Sequence, residues 1–475
     1  MSLSGFSFPG RPAPKGRSLG APSGGGAIRS LVRLSVGLLI FARAFASGPS
    51  ALEMPPVWAG TGASSGPASP SASPDRPLLT LDQAVDLGLA RNPELVKERA
   101  NLARSAAYSI RAGELADPKI VLGEQYFPID FGLGESVLTM TTVGVRQSFP
   151  PWGQRSLLHQ GAGLEKTASR LELDDRKARL VRDIRVVWID LLRIRRTEAF
   201  LESVGSLWEK AFQAALARYR QGSGTESDVL SAKLRKDEIR DRQERLRLQE
   251  EESRFRLMRL MHFSRPFRIS PETPGLPAPL PESLLLERLG NHPALKSRDA
   301  GDAAQERRVL ASKKNRIPAV SVEGDYSYFM GPNLITSTPN LFSVLLTFNL
   351  PVRPGERQDQ VTAEEEHELE AMEAAREGVR QRLVEKVRDA EGAYRHLLRR
   401  QDLFERVLLP EARRNAEAAL SGYATGRLGM DRVLEAMERV RNTGIRALSI
   451  RAQILETEAT LSYLAGTLTG GPHEP

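Results

Sequence analysis

Residues 419–436 read ALSGYATGRLGMDRVLEA, and residues 215–232 read ALARYRQGSGTESDVLSA. Aligned, Tyr219 answers Tyr423, Gly222 answers Gly426, Val229 answers Val433 and Leu230 answers Leu434, each pair 204 positions apart. In both copies a long helical stretch runs into the tyrosine, and a glycine-containing break follows. A second helix then starts near Asp228 or Asp431. Glycine tolerates the left-handed conformation that ends a helix, and polar residues after it can cap the next one. The chain therefore contains the same tight helical hairpin twice, and every other segment can be placed by its distance from the two tips.

The duplication extends well beyond the tips. Asn92-Pro93-Glu94-Leu95 answers His292-Pro293-Ala294-Leu295, Asp117-Pro118 answers Ile317-Pro318, and Phe149-Pro150 answers Leu350-Pro351. The offset drifts from 200 to 204 across each half, which marks a domain-scale repeat and not a solenoid. The first repeat spans residues 78–263 and the second 283–468, joined by a Pro-rich linker at 264–282, with a short tail at 469–475. Order is expected to begin at Leu78, with Thr80 or Asp82 as the first helix cap.

The helical arms are long. Arg155 to Arg220 covers 66 positions, about 100 Å at 1.5 Å per residue. The return arms from Asp228 and Asp431 run about 35–40 residues, or roughly 50–60 Å by the same rise. Met437, Val440, Gly444, Ala447, Ile454, Leu461, Ala465 and Leu468 follow steps of three and four, interrupted by Arg451 and Glu458. Val379, Leu383, Val387, Ala390, Tyr394, Leu397, Phe404 and Leu408 do the same on the other arm. These are coiled-coil spacings. Pro410 lies inside that arm, where it should kink or interrupt the helix. Its first-half counterpart is near Ser206, so the two arms should not bend alike.

Between the prolines the period changes to two. AVSVEGDYSYF (319–329) places Val320, Val322, Tyr326 and Tyr328 on one face, and FSVLLTFNL (342–350) does so with Phe342, Val344, Leu346, Phe348 and Leu350. The first half gives Val137, Val143, Val145 and Phe149 on one face of VLTMTTVGVRQSF, while in KIVLGEQYF Glu124 falls on the face of Ile120, Leu122 and Tyr126. Two hairpins are expected, connected through DFGLGES and GPNLITSTPN. Each strand is about the length that crosses a bilayer when tilted. Two soluble hairpins would show the same alternation; the leading segment and the duplication favour the membrane. Four strands cannot close a barrel, and open edges are not tolerated in lipid. Several copies would then share one barrel.

The formal net charge is +8, but Arg11, Lys15, Arg17, Arg29, Arg33 and Arg43 all lie in residues 1–46, where no acid occurs. Taking those six from the 67 leaves 61 basic against 59 acidic residues. A nearly neutral body lacks the clustered basic face that nucleic acid requires. Arg29 and Arg33 precede the apolar run LSVGLLIFARAFA, which ends in an Ala44-Phe45-Ala46 step. Residues 1–46 thus read as a secretory signal peptide cleaved after Ala46, and 47–77 as a disordered Pro/Ser/Gly/Ala leader. There is no cysteine, so a disulfide framework, a thiolate metal site and a cysteine nucleophile are excluded.

At LLPEARRNAEAALSGYATGRLGMDRVLEA, taken with the duplicated half and the paired strands, the chain resembles the TolC family of outer-membrane efflux proteins. The leading LTLDQAVDLGLARNPEL and the step Phe149-Pro150-Pro151-Trp152-Gly153-Gln154-Arg155 are most similar to its heavy-metal branch. The resemblance covers roughly Leu78 to Leu468. It implies a mainly α fold with a small β part: duplicated long helical hairpins forming a periplasmic α-barrel, and four antiparallel strands per protomer in a trimeric, twelve-stranded outer-membrane β-barrel.

It also implies a homotrimer in the outer membrane of a Gram-negative bacterium, with a large periplasmic part. The chain would be a passive duct, served by a periplasmic adaptor protein and an inner-membrane pump of the resistance-nodulation-division or ATP-binding cassette type. Carried onto this chain, the adaptor-contact tips are Gly222, Gly224, Thr225, Asp228, Val229 and Leu230, and Gly426, Leu428, Gly429, Asp431, Val433 and Leu434. The lipid-facing strand positions are Val320, Val322, Tyr326, Phe342, Val344, Leu346 and Phe348. Many relatives carry a lipidated cysteine, which this sequence cannot supply.

No enzyme is expected. There is no G-x-x-x-x-G-K-[ST] and no H-E-x-x-H, and acids and bases recur at helical surface spacing. No cofactor is implied. The run EEEHELE (364–370) reads as a solvated or channel-facing helix surface before it reads as a metal site. Asp228 and Asp431 are candidates for a charged constriction or its hydrogen bonds, and equally for plain N-caps of the return helices. Two other functions fit parts of the pattern. A secreted soluble coiled-coil scaffold would have no use for membrane strands. A periplasmic adaptor would show one central hairpin flanked by β-rich domains, where this chain shows two halves of matching order.

Overall fold

The computed structural model describes residues 77–126, 139–272, 281–329 and 340–468. The expected signal peptide and leader, the strand connections DFGLGES and GPNLITSTPN, and the tail lie outside the described residues. In chain order the elements are β1 (Leu78–Leu79), α1 (Leu81–Arg91), α2 (Pro93–Arg111), β2 (Lys119–Gln125), β3 (Met140–Phe149), α3 (Gln154–Arg220) and α4 (Glu226–Met261). The second half follows with β4 (Arg268–Ile269), α5 (Glu282–Leu289), α6 (Pro293–Lys313), β5 (Ala319–Phe329), β6 (Leu341–Asn349), α7 (Gln358–Asp402), α8 (Leu409–Ala424) and α9 (Met430–Leu464). The order of the first half is repeated in the second.

Helix starts follow local chemistry. Thr80 caps α1 through a reciprocal pair with Gln83, and Asn92 and His292 cap α2 and α6, each followed by proline at the first helical position. Proline fits there because that N–H has no intrahelical acceptor to lose. α3 runs unbroken for 67 residues, about 100 Å at 1.5 Å per residue. Its second-half counterpart is divided: α7 passes at Leu403–Leu408 into a π-helical segment, and α8 begins beside Pro410. The sequence led to a kink or interruption at Pro410, and the chain meets it with this wider turn. Buried Leu383, Val387 and Leu397 in α7 answer Leu180, Ile184 and Ile194 in α3 at an offset of 203, whereas the tyrosines past the π segment stand 204 apart. A π segment takes one extra residue, so it accounts for the last step of the drift.

Three buried clusters follow the length of α3. Near the tips, Leu201, Val204, Trp208, Ala211 and Ala215 pack against Ala232 and Ile239 of α4, Ala412, Ala416 and Tyr423 of α8, and Val433, Met437 and Val440 of α9. Further back, Leu180, Ile184, Trp188 and Leu191 bury Ala84 of α1, Leu95 of α2 and Leu257 of α4. Phe267 and Ile269 join that cluster, and β4 pairs in parallel with β1. The first residues of the Pro-rich linker are therefore core, not tether. The third cluster joins Ala178 and Val181 of α3 to Leu285, Leu289, Leu295, Leu383, Val387, Leu461 and Leu464.

The seam expected along α9 is buried at Met437, Val440, Gly444, Ala447, Ile454, Leu461 and Leu468. Near its end a polar joint ties α9 of the second half to α3 of the first. The Tyr463 hydroxyl donates to Asp175 at 2.8 Å, and Arg179 reaches both groups. Burial, and then the Asp175 charge, push the Tyr463 phenol up to about 12.

The four long strands form one antiparallel sheet in the order β2-β3-β5-β6. The two repeats meet along β3–β5, where Val143 faces Tyr326 and Phe149 faces Val320. β2 and β6 are the outer strands of this sheet.

Candidate functional site

The two ends of α3 carry the two features that the sequence singles out. At its C-terminal end are the hairpin tips, whose backbones are copies of one another. Gly222 N–H donates to Tyr219 O, while Ser223 and Gly224 N–H both reach Arg218 O. In the second half Gly426 N–H donates to Tyr423 O, while Arg427 and Leu428 N–H both reach Gly422 O. Gly222 and Gly426 hold φ of +73° and +74°, a region that costs a non-glycine residue roughly 1–2 kcal/mol. The bond spanning five residues and the one spanning three together define a Schellman end.

The capping residues are not the aspartates. Thr225 Oγ1 accepts from the Asp228 N–H at 3.2 Å and caps α4. α9 has Gly429 at its cap position, with no side-chain bond. Asp228 and Asp431 fall in the first turn beyond these caps, where a carboxylate meets the positive helix end. This corrects the capping role considered for both from sequence.

Asp228 instead joins the two hairpins. It accepts from the Tyr423 hydroxyl at 3.2 Å. Arg218 of the first hairpin donates to Tyr423 O at 2.7 Å, bonds Ser223 O at 2.8 Å and lies 4.7 Å above the Tyr423 ring. Burial first and the Asp228 charge second raise the phenol of Tyr423 above its ordinary value. Tyr423 is 1% exposed, while its repeat partner Tyr219 is 46% exposed. Two equivalent tyrosines thus have different surroundings in one chain: one clamped between hairpins, the other half exposed.

Among the remaining tip residues, Val433 is fully buried, and Val229 and Leu434 pack partly against the same core, so these three hold the tip in place. Leu230, Leu428 and Asp431 are exposed, and Gly224 sits where a Cβ would press on the α3 backbone. A groove of about 400 Å³ between α8 and α9 is lined by Asn415, Ala419, Leu428, Arg432, Glu435 and Arg439, among others. Sequence reasoning missed Arg218. Its signal was a break in the repeat, since the residue 204 positions on is Gly422, and a charge replaced by glycine marks a contact made only once.

At the other end of α3 the sheet has two unlike faces. Register aligns Val320 with Phe348, Val322 with Leu346, Gly324 with Val344 and Tyr326 with Phe342. Ile120, Leu122, Val143, Val145 and Phe149 extend that face through the strand pairing. Glu124 shares it, bonded to Thr141 Oγ1 at 2.8 Å. The opposite face carries the Arg146–Glu323 ion pair, Thr142 bonded to Ser327 at 3.0 Å and Ser148 bonded to Ser321 at 3.0 Å. Val121, Met140, Phe329, Leu341 and Leu345 are apolar members of that otherwise polar face. All seven strand positions singled out from sequence stand on the apolar face. No helix among the described residues is long and apolar enough to cross a membrane. His367 of the EEEHELE run lies on the exposed surface of α7, its Nδ1 3.4 Å from Glu370.

Residues 284–467, nearly the whole second repeat, match the family model described as outer membrane efflux protein. No curated protein matches the sequence. Among solved structures, CusC, described for its transmembrane channel formation, superposes with a TM-score of 0.71 at 14% identity, over 82% of this chain and 92% of that one. The outer membrane protein VceC of Vibrio cholerae gives 0.69 at 16% identity, over 81% and 96%. The CmeC outer membrane channel of Campylobacter jejuni gives 0.66 at 14% identity, over 81% and 85%. The likeness is one of fold and does not favour one branch over another.

Proposed function

We infer that this chain is an outer membrane efflux channel of the TolC-type family that its second repeat matches, working in the outer membrane of a Gram-negative bacterium as a passive duct. One observation carries this reading: the four-stranded sheet has an apolar face, a polar face and two outer strands, and stands at the far end of a helix about 100 Å long from the tips. An isolated sheet with one apolar face loses water from that face only against lipid or protein. Outer strands in lipid must pair with another copy. Three copies giving twelve strands, as in the family, would form a barrel with the Arg146–Glu323 face turned to the lumen. The test is fractionation and planar-bilayer recording of the purified chain. A detergent-requiring oligomer with conductance is expected; a water-soluble monomer without it would end this reading.

The tips would meet a periplasmic adaptor, with Leu230, Leu428 and the groove between α8 and α9 as its seat, and a resistance-nodulation-division or ATP-binding cassette pump would supply the energy. Within the family, LTLDQAVDLGLARNPEL and the Phe149–Arg155 step support the heavy-metal branch. A strain lacking the gene should then become sensitive to heavy-metal ions. Sensitisation to drugs and detergents alone would move the chain to another branch.

A further inference from the structure

Where β3 runs into α3, the chain makes a turn that the tips and the sheet do not explain. Phe149-Pro150-Pro151-Trp152-Gly153 leaves the strand, Gly153 takes a φ of +82°, and α3 begins at Gln154. Trp152 comes out of this turn 90% exposed. An indole is among the most costly side chains to leave in water and among the most favoured at a membrane–water boundary. Beside it lies a groove of about 840 Å³ between the end of α2, the turn and the start of α3, within the roughly 300–1,000 Å³ usual for small-molecule sites.

Its walls fix which side it opens on. Phe149 and Val320 line the groove, and they face each other across β3–β5 on the apolar side of the sheet. It therefore opens on the side read above as lipid-facing, at the periplasmic end of the strands. Phe149 and Val320 also belong to the two inner strands, while another copy would join at β2 or β6. Edge pairing does not bring a second copy over them.

The polar wall offers one cation, Arg155, to an anionic head group. Arg155 donates from Nε and Nη2 to Gly113 O at 3.2 and 2.6 Å, which holds its charge at the wall. His159 Nδ1 lies 3.0 Å from Ser109 O, so that ring nitrogen donates there. The Lys314 stem passes 4.0 Å from where a Cβ on Gly153 would stand. Glu114 is the acid among the lining residues.

We propose that this groove seats a glycerophospholipid of the inner leaflet, its acyl chain along Trp152, Phe149 and Val320 and its phosphate diester toward Arg155. The proposal rests on the membrane reading above. It supplies an anchor at the sheet–helix junction that draws on no lipidated cysteine.

The test uses the full chain with Trp58→Phe, which leaves Trp152 beside two tryptophans, Trp188 and Trp208, that are buried among helices. The protein is reconstituted in phosphatidylethanolamine and phosphatidylglycerol vesicles whose acyl chains are brominated near the glycerol. Trp152 emission, taken as the difference from a Trp152→Phe control, should be largely quenched by the brominated lipid and protected from aqueous acrylamide. Quenching by acrylamide without quenching by lipid would mean an open, wetted groove and would overturn the proposal. Protection from both would mean a protein cover and would overturn it equally. A Val344→Trp variant read in the same vesicles separates the two levels. If the indole introduced on the strand is quenched and Trp152 is not, only the groove fails; if neither is quenched, the membrane reading fails. Arg155→Gln should lose phospholipid phosphorus retained through detergent exchange, and unchanged retention would overturn the phosphate assignment.

Discussion

Asn92 and His292 occupy the same position in the two repeats and cap α2 and α6 by the same bond. The Asn92 side-chain oxygen accepts from Glu94 N–H at 2.9 Å, and His292 Nδ1 accepts from Ala294 N–H at 3.3 Å. Beyond that bond they part. Asn92 also donates to Leu260 O at 2.9 Å, whereas the buried Nε2 of His292 has no hydrogen-bond partner. The His292 ring stands edge-on to Tyr463, 5.1 Å between centroids. One half thus closes on an amide that never titrates, and the other on an imidazole that does.

That difference predicts an acid-sensitive second half. Burial, first among the causes, lowers the pKa of His292, with the Asp175 charge and the Tyr463 backbone opposing and Arg179 reinforcing it. The folded state holds the ring neutral while the unfolded chain protonates near 6.5. Stability is therefore full above that value and is lost as pH falls below it toward the folded pKa, by up to about 1.4 kcal/mol per pH unit. His292→Asn copies the first repeat, keeps the cap and removes the titration. Helix melting at pH 7 and pH 5 should show a larger acid-induced fall for the natural chain than for the variant; equal falls would remove His292 from the cause.

Arg218 holds the first hairpin against the second through the Tyr423 carbonyl and ring, and braces its own tip through Ser223 O. A net hydrogen bond contributes about 0.5–1.5 kcal/mol and a cation–π contact about 0.5–1 kcal/mol at exposed sites, so Arg218→Ala should loosen the joint by about 2 kcal/mol without melting the arms. Single-channel conductance should rise or open more often, with helical content unchanged. Tyr423→Phe, which removes the hydroxyl bonded to Asp228, should move the same way by less. A conductance identical to the natural chain in both variants would separate this joint from gating.

The repeat itself was open to reading because each copy fixed the other. A lone Tyr-x-x-Gly says little, but the same turn 204 residues later, with Pro and Asn-Pro steps in matching order, required one architecture built twice. The apolar strand face was also legible, since period two survives any error in register. What escaped were interactions that occur once. The Arg218–Tyr423 contact joins segments 205 apart, and the β1–β4 pair has two residues on each strand, too short to make a pattern. The π segment showed only as a one-residue drift. An aspartate at a helix start fits the capping rule, but the hydroxyl of Thr225, three residues earlier, fills the cap of α4, and Asp228 bonds Tyr423 instead.

Gly444 of α9 packs against the Phe200 ring of α3. A Cβ at this position would run into the ring of Phe200, so Gly444→Ala should cost about 1–3 kcal/mol through forced repacking. The melting temperature should fall by several degrees, and adding Phe200→Leu should recover much of the loss, because the side chain in the way is then smaller. If the single variant melts like the natural chain, the crossing is looser than the fold implies.

The two faces of the sheet offer the sharpest comparison, because neighbouring residues on one strand should respond oppositely. Val322 and Val344 stand on the apolar face, and Ser321 and Ser343 on the polar one. Arginine on a lipid-exposed barrel face costs about 2–4 kcal/mol at the bilayer midplane and little near its edges. Val322→Arg and Val344→Arg should therefore lower the yield of membrane-assembled protein, whereas Ser321→Arg and Ser343→Arg should assemble normally and alter conductance instead. The serine variants control for strand propensity and for added charge as such. Equal assembly of all four would mean that neither face meets lipid; failure of the serine pair alone would mean that the sheet is turned the other way.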